Sequence, residues 1–229
     1  MDFAALALAR GWAFDTDGKM STANARKLLT APYPGTLAAS ASPKRALIRY
    51  VSLAAPSPAD ITVVERDEIF AAGWSALGLV QHVERPSWQA NSIVGTQHGQ
   101  AAVAHAQLVG YPRGCHLMLD VEGLGDAGAP VYDYCAYWCD PVIAAGYLPM
   151  PYDGYDDGMP DQWKELLVTR GLVRPTDWWS DYGPRQLPPG LSWAMKQHAQ
   201  TTVGGELVDP DEILVDNVVV FMAPQLAAA

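Results

Sequence analysis

Two carboxylates stand two residues apart at the point where an apolar run stops. In "CHLMLDVEG", residues 115–123, the run Leu117–Leu119 closes on Asp120 and Glu122, with one valine between them and a glycine after. On a β-strand such residues project from one face with Cα atoms about 6.6 Å apart. Their carboxyl tips can then sit about 5–8 Å apart, within the range used for glycoside hydrolysis. Like charges that close resist joint ionisation, so one group keeps its proton and is available as a general acid. Either residue could serve as that acid. Glu122 has the longer reach and lies nearer the end of the strand, which makes it the better candidate. Taken alone, the same pattern also fits turn chemistry, since acids followed by glycine are common where a strand meets solvent.

Other residue types could join such a pair if the chain folds to collect them. Asp15 ends the apolar run "GWAFDT" and could equally cap a helix. Gln81 and His82, Tyr152 and Asp153, Asp181, and Gln197 with His198 all fall at the ends of strand-like runs, and Asp216 sits inside "EILVDNVVVF". Trp178, Trp179, Trp193 and Tyr152 offer flat apolar faces of the kind that stack on pyranose rings, although core packing suits each tryptophan as well. His98 and His105 are seven apart on a helical segment, two turns from each other, and read as surface histidines rather than as a shared metal site. The acids of 152–157 lack the spacing of a calcium loop. Ser180 and Ser192 lack a G-x-S-x-G elbow. Cys115, Cys135 and Cys139 make an odd set without zinc spacing and read as reduced core thiols. No metal and no cofactor are expected.

The segments that must position these residues take turns between strand and helix. Strand-like runs lie at 11–16, 46–53, 76–83, 114–123, 147–154, 176–183, 191–199 and 212–221. Helical signals lie between the early ones: 21–30 behind a serine cap, 61–73 and 96–110 each closing on glycine, 131–146 with Pro141 inside, and 159–171 with proline early and glycine at its end. Regular alternation points to a parallel sheet, and eight strands point to an α/β fold, a single TIM-like (β/α)₈ barrel with shortened or missing helices in the C-terminal quarter. An open doubly wound sheet is the competing architecture, but "AFDTDGKMS" carries neither G-x-G-x-x-G nor G-K-[ST]. No repeat or low-complexity linker divides the chain, so residues 1–229 are read as one domain with a core of about 11–222.

In such a barrel the functional groups gather at the C-terminal ends of the strands. That places Asp15, Asp120, Glu122, Tyr152, Trp178, Trp179, Trp193, Gln197, His198 and Asp216 as candidates around one mouth. A net charge of −10 over 229 residues leaves no basic stripe for phosphates, which argues against nucleic acid as a partner. No run approaches the roughly 18 apolar residues of a membrane span. The opening "MDFAALALARGWAF" has an aspartate where a signal peptide carries positive charge, so no convincing signal peptide is expected.

The ordered set "GWAFDT", "LMLDVEG", "DWWSDYG", "SWAMKQHA" and "ILVDNVVVF" resembles the glycoside-hydrolase-like domain of unknown function found in actinobacterial secreted proteins and phage lysins, a family similar to the glycoside hydrolase family 25 lysozymes. The likeness spans roughly residues 11–222. It implies a barrel with a carboxylate-rich pocket for a bacterial wall glycan, with Glu122 as proton donor, Asp120 as stabiliser of the cationic transition state or intermediate, Asp15 as the first-strand aspartate and Asp216 as the closing-strand aspartate. The fifth strand departs from the family pattern, so only Tyr152 carries over there. The function expected is a lysozyme-like peptidoglycan hydrolase, for instance a phage lysin, acting on the cell wall. The alternative is a non-catalytic glycan- or protein-binding barrel, such as a virion component with an assembly partner or a wall-associated factor.

Overall fold

The computed structural model describes residues 5–33, 43–84, 90–122, 129–154, 159–181, 186–216 and 218–222. In chain order the elements are β1 (Ala5–Leu8), β2 (Gly11–Thr16), α1 (Thr22–Thr30), β3 (Lys44–Tyr50), α2 (Val63–Ala71), β4 (Ala76–Glu84), α3 (Ser92–Leu108), β5 (His116–Glu122), α4 (Ala129–Ala144), β6 (Leu148–Asp153), α5 (Asp161–Thr169), β7 (Trp178–Asp181), β8 (Trp193–Gln197), β9 (Thr201–Val203), β10 (Glu206–Ile213) and β11 (Val218–Met222). Strands β2 to β8 run parallel in sequence order, and β10 closes the ring by pairing with both β8 and β2. The result is a closed eight-stranded α/β barrel, with helices after each of β2 to β6 and none described between β7 and β10.

The closing strand differs from the sequence expectation. The run 212–221 does not form one strand: β10 ends at Ile213, the chain turns through Asp216, and β11 leaves the ring. β10 is antiparallel to both neighbours, with Asp209 opposite Asp15 and Ile213 opposite Gly11. A short β9–β10 hairpin brings the chain back from the mouth, and without a crossover helix the returning strand must run against its neighbours. β11 pairs antiparallel with β1 and with the first residues of β4. Leu8, Val218 and Val220 thereby join the inner core and plug the barrel at the end opposite the mouth.

Period-two alternation divides most strands of the ring between two cores. Ala13, Ala46, Ile48, Val80, Met118, Met150 and Met195 fill the interior, while Phe14, Leu47, Leu79, Leu117 and Trp178 face the helices. Alanines in the interior sit among longer methionine and isoleucine side chains, which together fill the ring.

Helices α1, α2 and α3 begin where the sequence supplies a side-chain cap. Ser21, Thr62 and Asn91 accept from the backbone N–H groups of Asn24, Glu65 and Val94, satisfying donors that the first turn leaves open. Helices α3 and α4 meet almost backbone to backbone: a Cβ on Gly95 would lie 2.3 Å from the Tyr134 carbonyl oxygen, and one on Gly99 would lie 2.5 Å from that of Trp138. The α4 helix runs through Pro141, whose ring lies in the same contact. His98, buried at this contact, pairs with the Tyr134 hydroxyl at 2.9 Å, and His105 uses Nδ1 to accept from the Ser52 backbone N–H. Both histidines are therefore packing groups, contrary to the surface placement their spacing implied. Cys115, Cys135 and Cys139 are buried free thiols.

Replacing Gly99 by alanine should force α3 away from α4 and cost about 1–3 kcal/mol. In a thermal melt followed by circular dichroism this appears as a fall of several degrees. An unchanged midpoint would show that the helices are not held at the described separation.

Candidate active site

The carboxylates of the barrel follow from the same alternation. On β5 the inward residues are His116, Met118, Asp120 and Glu122; the first two are fully buried, Asp120 is 5% exposed, and Glu122 is half-buried at the rim. On β2 the inward set ends with Asp15, and on β10 it includes Asp209 and Asp211. Asp181 on β7 lies opposite Gln197 on β8. Five strand ends thus bring polar groups to one mouth.

Hydrogen bonds cross that mouth. The Tyr152 hydroxyl donates to Gln197 Oε1 at 2.8 Å, and Gln197 Nε2 donates to Asp15 Oδ2 at 3.0 Å, linking β6, β8 and β2. Trp179 Nε1 donates to Asp211 Oδ1 at 2.8 Å. His82, opposite Asp120 in the β4–β5 register, brings Nδ1 to 2.6 Å from Asp120 Oδ2. The Tyr50 ring stacks on the His82 imidazole with centroids 5.5 Å apart.

Burial and mutual repulsion set the protonation of this cluster. Asp15 is pushed well above the ordinary carboxylate range, chiefly by burial and then by the charges of Asp209 and Asp120. Asp211 is raised in the same way by burial and by Asp15, against a smaller opposing effect of the Trp179 hydrogen bond. Asp209 is raised by burial, with added repulsion from Asp120 and Asp17. The Tyr50 and Tyr152 hydroxyls are held protonated by burial and by the surrounding acids. Asp15 and Asp211 are diagonal neighbours on one face of the β2–β10 pair and are driven toward their neutral forms.

The sequence candidates separate into two groups. Asp120, Glu122, Asp15, Tyr152 and Gln197 meet at the mouth, and Trp179 lies beneath them as a fully buried floor, its ring 4.7 Å from that of Tyr152. Asp216 lies at the other end: it is exposed, and its Oδ1 accepts from the Arg10 backbone N–H just before β2 begins. The closing-strand acids are instead Asp209 and Asp211.

Trp178 must face away from Trp179 because the two are consecutive in a strand, and it is buried among the helices. Trp193 pairs with Trp178 across a register shift and packs on the same outer layer, beneath Lys196 at 5.6 Å. His198 packs edge-on against Trp12 and approaches Glu212 Oε2 at 3.4 Å, also outside the ring. Gln81, one residue before His82, points outward and binds the His98 carbonyl and Trp138 Nε1. Asp153 pairs with Lys164 Nζ at 2.6 Å and accepts from the Met159 N–H, anchoring the start of α5. Residues 155–157 of the considered calcium loop lie outside the described residues.

Tyr50, Asp209 and Asp211 were not among the sequence candidates. Their signal was present as period-two spacing: Tyr50 follows Ile48, and Asp209 and Asp211 flank Pro210 in "LVDPDEI". The proline masks that run, because proline within a strand-like segment argues for an edge or a turn.

A family model described as the Rv2525c-like, glycoside hydrolase-like domain matches residues 37–220, and the chain belongs to that family. No curated protein sequence matches it. Among solved structures it is similar to an uncharacterised B. stearothermophilus protein, with a TM-score of 0.62 and 15% identity over 89% of this chain and 96% of that one. It is also similar to the multimodular pneumococcal cell-wall endolysin of phage Cp-1 complexed with choline, with a TM-score of 0.55 and 10% identity. A mutant of the same Cpl-1 endolysin in complex with a peptidoglycan analogue gives a TM-score of 0.55 and 12% identity. The aligned region covers 91% of this chain and 55% of the endolysin chain in each case. At these identities the likeness establishes the fold.

The raised carboxyls predict a pH dependence of stability. Below about pH 4 Asp211 is protonated in both folded and unfolded chains. As pH rises the unfolded carboxyl ionises first, so the folded state loses stability until the buried group also titrates. Asp211→Asn keeps an acceptor for Trp179 and removes this loss. Its melting temperature should exceed that of the wild type at about pH 8 and converge with it near about pH 4. A gap independent of pH would show that Asp211 is ionised in the folded barrel.

Proposed function

We propose that the protein is a glycoside hydrolase of bacterial cell-wall peptidoglycan, with Glu122 as general acid and Asp120 as its carboxylate partner. The observation that carries the reading is the placement of both acids on the inner face of β5 at the open mouth, with an Asp120 donor atom and a Glu122 donor atom within 4.8 Å of each other. The substrate suggested by the family and by the endolysin likeness is the β-1,4 link between N-acetylmuramic acid and N-acetylglucosamine. Glu122 protonates the leaving oxygen, and Asp120 stabilises the oxocarbenium-like carbon or orients the substrate's acetamido group against it.

The separation also bears on stereochemistry. Inverting glycosidases need carboxyl groups about 6.5–9.5 Å apart to admit a water between them, whereas retaining enzymes hold them about 5–5.5 Å apart. The close pair on β5 favours retention. Tyr50 and Tyr152, rather than the tryptophans, supply the aromatic groups at the mouth. Asp15 and Asp211, held toward their neutral forms, can donate to sugar hydroxyls as well as accept from them.

Release of dye from labelled peptidoglycan tests the reading. Wild-type protein should release fragments carrying new reducing ends, and Glu122→Gln should reduce the rate about 10²–10⁴-fold with an unchanged melting temperature. Equal release by both proteins would overturn Glu122 as the acid, and no release by the wild type would leave a barrel that binds glycan or protein without cleaving it.

A further inference from the structure

The histidine beside the acid pair has no role in the glycosidase scheme, yet it completes a distinct donor set. His82 sits on β4 directly opposite Asp120, and Glu122 lies two residues further along β5. One donor atom from each of His82, Asp120 and Glu122 lies within 4.8 Å of the other two. An ion held about 2.0–2.2 Å from imidazole nitrogen and carboxylate oxygen requires donors roughly 3–3.6 Å apart. Small side-chain rotations, chiefly of the half-buried Glu122, close that difference.

A second observation concerns Asp120 itself. Its residue is 5% exposed, and its Oδ1 is buried without a hydrogen-bond partner among the described residues, while Oδ2 faces His82 Nδ1. A buried carboxylate oxygen that receives no hydrogen bond is costly. A cation between the three side chains would satisfy it. The stacked Tyr50 ring restricts the imidazole to the plane in which it meets Asp120.

We infer that His82, Asp120 and Glu122 form a binding site for a transition-metal dication of the zinc type, and that an ion bound there silences the glycosidase. One imidazole with two carboxylates suits zinc, cobalt and their neighbours; calcium and magnesium prefer all-oxygen shells. Three protein donors leave a fourth position toward the mouth for water. The ion takes the place of the proton shared by His82 and Asp120, drawing Oδ1 into its shell and opening the 2.6 Å pair between Nδ1 and Oδ2. It also engages the Glu122 oxygen that would otherwise carry the proton for the leaving group. The binding claim stands on the donor geometry alone, while the silencing claim rests on the function proposed above.

The test uses full-length protein stripped with a chelator. Calorimetric titration with Zn²⁺ and visible absorption with Co²⁺ should each give one ion per chain. His82→Ala and Glu122→Gln should each weaken binding by at least about 10-fold, and His198→Ala, on the outer face, should leave it unchanged. Absence of saturable binding, or equal binding by His82→Ala, overturns the site. In the dye-release assay, Zn²⁺ should suppress wild-type release in step with its binding isotherm; full release with the ion bound overturns the silencing claim. A protein that binds the ion yet releases nothing even when stripped would refute the glycosidase and leave the metal site standing on its calorimetry.

Discussion

A strand can present only every second side chain to the inside of a ring, and the ring is closed. That constraint governs everything else in the molecule. Over most of its depth the interior is filled by apolar side chains, from alanine to the Trp179 floor, which leave no room for solvent. At the open end the same inward positions carry Asp15, Tyr50, His82, Asp120, Glu122, Tyr152, Gln197, Asp209 and Asp211. The site is the continuation of the core by other side chains, and its geometry is as fixed as the hydrogen-bond ladder that holds it.

Crowding acids on a low-dielectric floor has an electrostatic cost, and the barrel meets it in two ways. Asp15 and Asp211 are driven toward neutrality, which removes charge from the deepest positions. Gln197, Trp179 and His82 then supply donors to one oxygen each of Asp15, Asp211 and Asp120. In each of the three acids the second oxygen has no partner among the described residues. These oxygens mark where a sugar hydroxyl or a cation would complete the shell. A pocket preorganised in this way stabilises charge as it develops without first reorganising itself.

The outer layer serves the same end by rigidity. Arg49, fully buried on the outer face of β3, binds Glu65 of α2 at 2.8 Å, and Glu65 also accepts from the Met20 N–H. Gly95 and Gly99 let α3 lie against α4, and Gln81 ties both helices to β4. His82 and Asp120 are thus held on strands whose backs are locked to the helices. At the closed end, His116 accepts from the Val219 N–H and pairs with Asp177 at 3.1 Å, which fastens the β11 plug.

Local pattern sufficed for much of this. The strand runs closing on Asp15 and on Asp120 and Glu122, the helix cap at Ser21, and the alternation that implies a barrel are all legible in the sequence, because each depends on neighbours within a turn or a strand. The same locality explains the departures. Trp178 and Trp179 look equivalent in "DWWSDYG", yet alternation sends one to the helices and one to the floor. Asp216 looks like a strand acid until the chain reverses before it and carries it to the far end. His82 acquires its meaning only from the β4–β5 register, and Asp209 and Asp211 only from a closing strand that returns antiparallel. The sequence by itself determined the periodicity of each element, and with it the inward character of Asp120 and Glu122. Only the tertiary structure decided which inward residues share a mouth, because register and strand direction are set by contacts between segments as much as 200 residues apart, which no local pattern encodes.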